Sequence, residues 1–220
     1  MPTRLILVRH GTSHHMRDEV IGGPNGCRGL TDEGREQAGR LAQRLKQELD
    51  GQKAAVYSSV IPRAIETGEI VASALGIGGV TQDCGLCTWH SPADADGMRK
   101  DRFQIEYDQP GGGVFRSFQR GNESWAEMVA RIGRGLEEIA ARHAGETVIV
   151  ATHGEAVNSS LIILGQLPLM TGFDTAIAAT SITEWTTDGD PSDWPRPRWT
   201  LRRFNDSAHL TWDLRDRVSG

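Results

Sequence analysis

Leu5-Ile6-Leu7-Val8 and, after its leading threonine, the stretch 147–151 are apolar over consecutive positions. Successive side chains of a strand point to opposite faces, so a strand of this kind must be covered on both. The covering layers are visible in the same chain. Ala38, Leu41, Ala42, Leu45 and Leu49 recur at helical spacing behind an N-cap at Thr31, with Asp32 and Glu33 facing the positive end of the helix dipole. Val129, Ile132, Leu136, Ile139 and Ala140 form a second stripe behind a Ser124-Trp125-Ala126-Glu127 capping box. Pro62 opens a third helix at a position proline tolerates, and a fourth carries Val157, Leu161, Ile162 and Leu164. Gly51 and Gly76 are expected to stop the first and third of these helices. Further strands are expected at 54–57, 79–82, 181–186 and 199–204. This alternation predicts a three-layer α/β/α sandwich around a largely parallel mixed sheet. With no repeat and no linker, residues 1–220 form one domain.

Two segments escape periodicity. Residues 11–29 form a polar loop with Gly22, Gly23, Gly26 and Gly29, in which His14 and His15 are expected to be ordinary surface residues. Residues 83–122 mix Phe103, Tyr107, Phe115 and Phe118 with Arg99, Lys100, Arg102, Arg116 and Arg120. A span of this length without regular structure is unusual in a compact domain unless it serves function, so it is expected to be a lid or substrate-recognition insertion with short helical pieces.

Charge and length narrow the partners. A net charge of −5 argues against general nucleic-acid binding, and no apolar run approaches a membrane span. The N-terminus enters a strand at once, without signal-peptide architecture, and three cysteines do not make a disulfide framework. The expectation is a cytoplasmic protein with reduced thiols, without nucleic-acid or membrane partners. Oligomeric state is left open, and a homodimer is compatible with the sequence.

Three strand ends carry polar groups: Arg9-His10-Gly11, Ser58-Ser59 with Arg63, and Thr152-His153-Gly154. Strands of a parallel sheet end on one edge, where open α/β sheets bind ligands. Two arginines there offer forked donors to a phosphoryl group, and the helices starting after Pro62 and Gly154 add partial positive charge. A histidine in such a pocket stays neutral beside the cations and is a candidate nucleophile. The protein itself then supplies the positive charge, so no metal or other cofactor is expected for the phosphoryl chemistry.

The motifs Leu7-Val8-Arg9-His10-Gly11, Ser58-Ser59-Val60-Ile61-Pro62-Arg63-Ala64-Ile65-Glu66-Thr67 and Thr152-His153-Gly154 resemble those of the histidine phosphatase superfamily, with its phosphoglycerate-mutase-like fold. Gly29-Leu30-Thr31 and Phe204-Asn205-Asp206-Ser207-Ala208-His209-Leu210 extend the resemblance over nearly the whole chain. It implies that His10 becomes phosphorylated, that Arg9, Arg63 and His153 bind the phosphoryl group, and that Ser13 adds a hydrogen bond. It also implies a phosphomonoesterase of the histidine acid phosphatase type. The rivals are a mutase and a phospho-ligand binding protein with weakened catalysis.

The family's proton-donating glutamate follows a leucine by two residues after the third strand. Here Leu86 and Cys87 lead to Thr88, which cannot donate a proton near neutral pH. Asp94 and Asp96 are preferred as replacements, with His90 and Glu155 as the other candidates. Met16 stands where an asparagine is common in the family. Cys84-x-x-Cys87 with His90 suggests a metal, but a closed zinc site takes four ligands and the chain supplies no second pair, so loop thiols and no metal are expected.

Overall fold

The computed structural model describes residues 1–210; the last ten residues of the expected domain lie outside the described residues. A six-stranded sheet has the order β3-β2-β4-β1-β5-β6. The strands are β1 (Thr3–Arg9), β2 (Ala54–Ser58), β3 (Thr81–Gln82), β4 (Thr147–Thr152), β5 (Ile182–Thr187) and β6 (Thr200–Asp206). β1 and β2 flank β4 in parallel, β3 joins β2 in parallel, and β5 and β6 complete the other edge antiparallel. This is the largely parallel mixed sheet that the apolar runs require.

Each face has its own core. Leu5 and Leu7 of β1 pack with Val148 and Val150 against Ile132, Leu136 and Ile139 of helix α5 (Trp125–Arg142) and Val157 of α6 (Gly154–Ile163). Ile6 and Val8 turn the other way. They meet Leu41 and Leu45 of α2 (Asp32–Leu49) and Val71 of α3 (Pro62–Ala74). Each fully buried leucine or isoleucine contributes about 1.5–3 kcal/mol. Two helical layers on one sheet give the expected α/β/α sandwich.

Local signals place the helix ends. Thr31 accepts the Gly34 amide hydrogen at 3.1 Å, and Ser124 and Glu127 form the reciprocal capping box. α2 turns left-handed at Asp50, one residue before Gly51, whereas Gly76 follows directly on the α3 cap. β3 is two residues rather than four, because Gly78 and Gly79 precede it at the sheet edge. No helix among the described residues is long and apolar enough to cross a membrane.

The two aperiodic segments hold each other. The first contains a short helix, α1 (His14–Asp18); the second contains 3₁₀ turns at Cys84–Leu86 and Ala93–Ala95 and helix α4 (Lys100–Tyr107). Neither helix has a stripe to detect: α1 buries no residue, and α4 buries only Phe103 and Tyr107. Those two rings pack with Ala95, Ile21 and Met98, which joins the second segment to the first.

Candidate active site

The parallel strands bring Arg9, His10, Arg63 and His153 to one edge of the sheet. All four line a cavity of about 790 Å³, together with residues of both aperiodic segments. That volume suits a small organic ligand.

His10 follows β1 directly. Its Nδ1 hydrogen is donated to the Gly11 carbonyl at 2.7 Å, while its Nε2 accepts from Arg63 Nε at 3.0 Å. Nε2 therefore presents a lone pair. The Arg63 guanidinium reaches further, donating to the Gly22 carbonyl at 2.6 Å and to His153 Nδ1 at 3.3 Å. With that nitrogen accepting, His153 Nε2 donates to Ser59 Oγ at 2.8 Å. The His10 and His153 rings meet edge-on with centroids 5.2 Å apart. Arg9 is anchored through Nη1 on the Ile177 carbonyl.

Electrostatics favour neutral rings. Burial pushes the His10 imidazolium well below the usual histidine range, and Arg63 adds to the effect against a smaller contribution from the Gly11 carbonyl. His153 is lowered by burial, then by Arg63 and His10. Burial also draws Arg9 below the usual arginine value, opposed by Glu155 and reinforced by Arg63. The pocket thus offers a neutral imidazole beside two guanidinium groups, a combination suited to an incoming dianion.

The other expected site residues divide. Ser13 is buried with its Oγ 2.8 Å from His15 Nδ1, and it is not among the residues lining the cavity. Its hydroxyl thus contacts a histidine of the cavity wall. Asp94 is exposed, hydrogen-bonds Tyr107 and stands outside the cavity lining. Asp96 lines the cavity, but its two carboxylate oxygens accept the Gly23 and Asn25 amide hydrogens at 2.7 and 2.8 Å. It fastens the glycine-rich loop. Of the two preferred carboxylates, Asp94 thus lies off the cavity wall and Asp96 lies on it with both oxygens engaged. Glu155 and His90 both line the cavity. Glu155 stands in the first turn of α6, one residue past Gly154 and facing the field of Arg9.

Two further residues line the cavity, and one corrects an expectation: His15, read from the sequence as an ordinary surface residue, is half-buried on the cavity wall. His15 lies 6.0 Å from the His10 ring, and burial with Arg63, Lys100 and Arg9 pushes it down to about 3. Lys100, at the start of α4, adds a further cation to the wall. A histidine and a lysine in aperiodic segments carry no signal of which way they face.

Cys84, Cys87 and His90 also line this cavity. Their three ligand atoms lie within 4.8 Å of one another. The grouping is visible in the sequence, where the want of a second cysteine pair argues against a metal; the fold brings the three side chains together on the cavity wall.

The comparisons with known proteins agree with this geometry. The model of the histidine phosphatase superfamily (branch 1) matches residues 5–207. Phosphoglycerate mutase-like protein 4 of Arabidopsis thaliana is 30% identical over 94% of this chain and 86% of its own length. A metal-independent phosphoserine phosphatase of the same plant is 29% identical over 74% of this chain and 69% of its own length. Among solved structures, YhfR of Bacillus stearothermophilus superposes with a TM-score of 0.77 at 26% identity, covering 94% of this chain and 98% of that one. The motifs, the sheet order and these matches converge: the chain belongs to the histidine phosphatase superfamily, branch 1.

Proposed function

We propose that the protein is a phosphomonoesterase of the histidine acid phosphatase type that hydrolyses a small phosphorylated metabolite through a phosphohistidine at His10. The observation that carries this reading is the His10 Nε2 lone pair, held 3.0 Å from Arg63 on the wall of a cation-lined cavity. Relatives named as phosphatases and as mutase-like proteins support the class of chemistry.

The steps follow from the residues. A phosphate monoester enters with its oxygens toward Arg9, Arg63 and His153. His10 Nε2 attacks phosphorus in line, a P–N bond forms and the P–O bond to the leaving group breaks. The arginines balance charge on the equatorial oxygens. Glu155, carrying a proton, gives it to the departing oxygen. As a carboxylate it then takes a proton from water, which attacks phosphorus and releases inorganic phosphate and neutral His10.

Phosphate release from a panel of small phosphomonoesters tests the proposal, with acid-stable products followed in parallel. Release that is lost in His10→Ala is the expected result. Release that persists in His10→Ala would remove the covalent step. A product that keeps its phosphate on another hydroxyl would make the enzyme a mutase. Binding without turnover would make it a phospho-ligand binding protein.

A further inference from the structure

We infer that Cys84, Cys87 and His90 bind a thiophilic divalent metal ion, of which Zn²⁺ is the natural occupant, with one coordination position left over. The Sγ atoms of Cys84 and Cys87 are 3.8 Å apart, and Cys84 Sγ is 3.3 Å from His90 Nε2. Tetrahedral zinc with ordinary bond lengths needs separations of about 3.8 Å between sulfurs and about 3.6 Å between sulfur and nitrogen. These two separations are within a few tenths of an ångström of zinc geometry, and all three ligand atoms lie within 4.8 Å of one another.

The surrounding atoms hold this arrangement. Cys84 begins and Cys87 follows a 3₁₀ turn in which Asp83, at the N-cap, accepts the Gly85 amide hydrogen at 2.7 Å. Arg131 of α5 donates to the carbonyls of Cys84, Gly85, Cys87 and Thr88 at 2.9–3.2 Å and is paired with Glu123. Glu123 also accepts the His90 amide hydrogen at 3.0 Å and lies 3.5 Å from His90 Nδ1. A carboxylate at the far nitrogen directs the Nε2 lone pair toward the metal, the usual second partner of a metal-bound histidine. Two thiolates and an imidazole select zinc over magnesium or calcium.

Closed structural zinc sites take four protein ligands, whereas sites that exchange ligands take three and a water. The described residues supply three, all on the cavity wall, so the fourth position is for water or a substrate atom. The inference stands on this geometry whether or not the protein is a phosphatase, and no phosphoryl step above passes through the ion.

The test uses the purified chain, kept reduced and stripped with a chelator, then titrated with Zn²⁺ or Co²⁺. Expected are one ion per chain and a cobalt–thiolate charge-transfer absorption. Cys84→Ser should weaken binding by more than the roughly 10–100-fold that loss of an outer partner costs. Because Cys84 is exposed, this variant should keep the wild-type thermal melt, and His90→Ala serves as the second probe. No ion bound by the reduced wild type overturns the inference. So does zinc uptake unchanged in both variants, or a cobalt complex without thiolate absorption.

Discussion

His10 has its Nδ1 hydrogen engaged by Gly11 and its Nε2 lone pair beside Arg63, so both tautomer and aim are set before a substrate arrives. The candidate carboxylates differ in what they already touch. Asp96 has both oxygens on loop amides, whereas Glu155, also on the cavity wall, lies in the field of Arg9 and is the donor in the proposed function. Glu155→Gln should lower kcat about 10²–10⁴-fold for an alkyl phosphate, the usual worth of general acid–base catalysis. For p-nitrophenyl phosphate, whose leaving group needs less protonation, the loss in the phosphorylation step should be much smaller. Single-turnover rates on the two substrates check this; an equal loss on both would remove Glu155 from the donor role. Asp96→Asn should instead loosen the Gly23–Asn25 loop and raise KM.

At the scale of elements, the site depends on how closely the β1–α1 loop approaches the first turn of α2. A Cβ on Gly34 would stand 2.0 Å from the Thr12 carbonyl oxygen, and one on Gly11 would stand 2.5 Å from the Gly34 oxygen. Both clashes are with backbone, which cannot swing aside. Gly34→Ala should therefore destabilise the fold by about 1–3 kcal/mol and displace the turn that carries His10. Urea unfolding and kcat measured on the same variant test this, and an unchanged value for both would show that the approach is not tight. Elsewhere the segments around the cavity are joined by a few polar ties: Asp96 to the glycine loop, Arg131 to the turn after β3, and Arg63 to the Gly22 carbonyl.

Over the whole molecule, folding forces His10 and His153 to stay neutral. Their folded pKa values lie below the ordinary 6.5, so the unfolded chain takes up protons first as pH falls. Their contribution to stability is complete above about 6.5 and is lost as pH drops below it, at up to about 1.4 kcal/mol per pH unit for each ring. Asp206, held down to about 2 by Arg44, begins to matter only below 3.8. Urea unfolding between pH 8 and pH 5 should show stability declining from near 6.5, and a flat profile would contradict the buried neutral pair. Inorganic phosphate should restore part of the loss, because a bound dianion favours protonation of His153 and stabilises the folded state.

Local sequence determined the layers, the caps and the strand ends. An apolar run has to be covered on both faces, a capping box has to start a helix, and parallel strands have to deliver Arg9, Arg63 and the two histidines to one edge. These features depend on neighbours a few residues away or on a periodicity, so they are legible in one dimension. What each candidate carboxylate touches, the contact of Ser13, the place of His15 and the seating of the Cys84–Cys87–His90 group on the cavity wall are different in kind. Asp94, Asp96 and Glu155 are equally acidic on paper; only packing of residues 83–122 against the glycine loop decides that Asp94 lies off the cavity wall while Asp96 lies on it with its oxygens on amides. Those segments are held by a few long-range contacts with no repeating pattern, and the directions of their side chains exist only once the fold has closed around them.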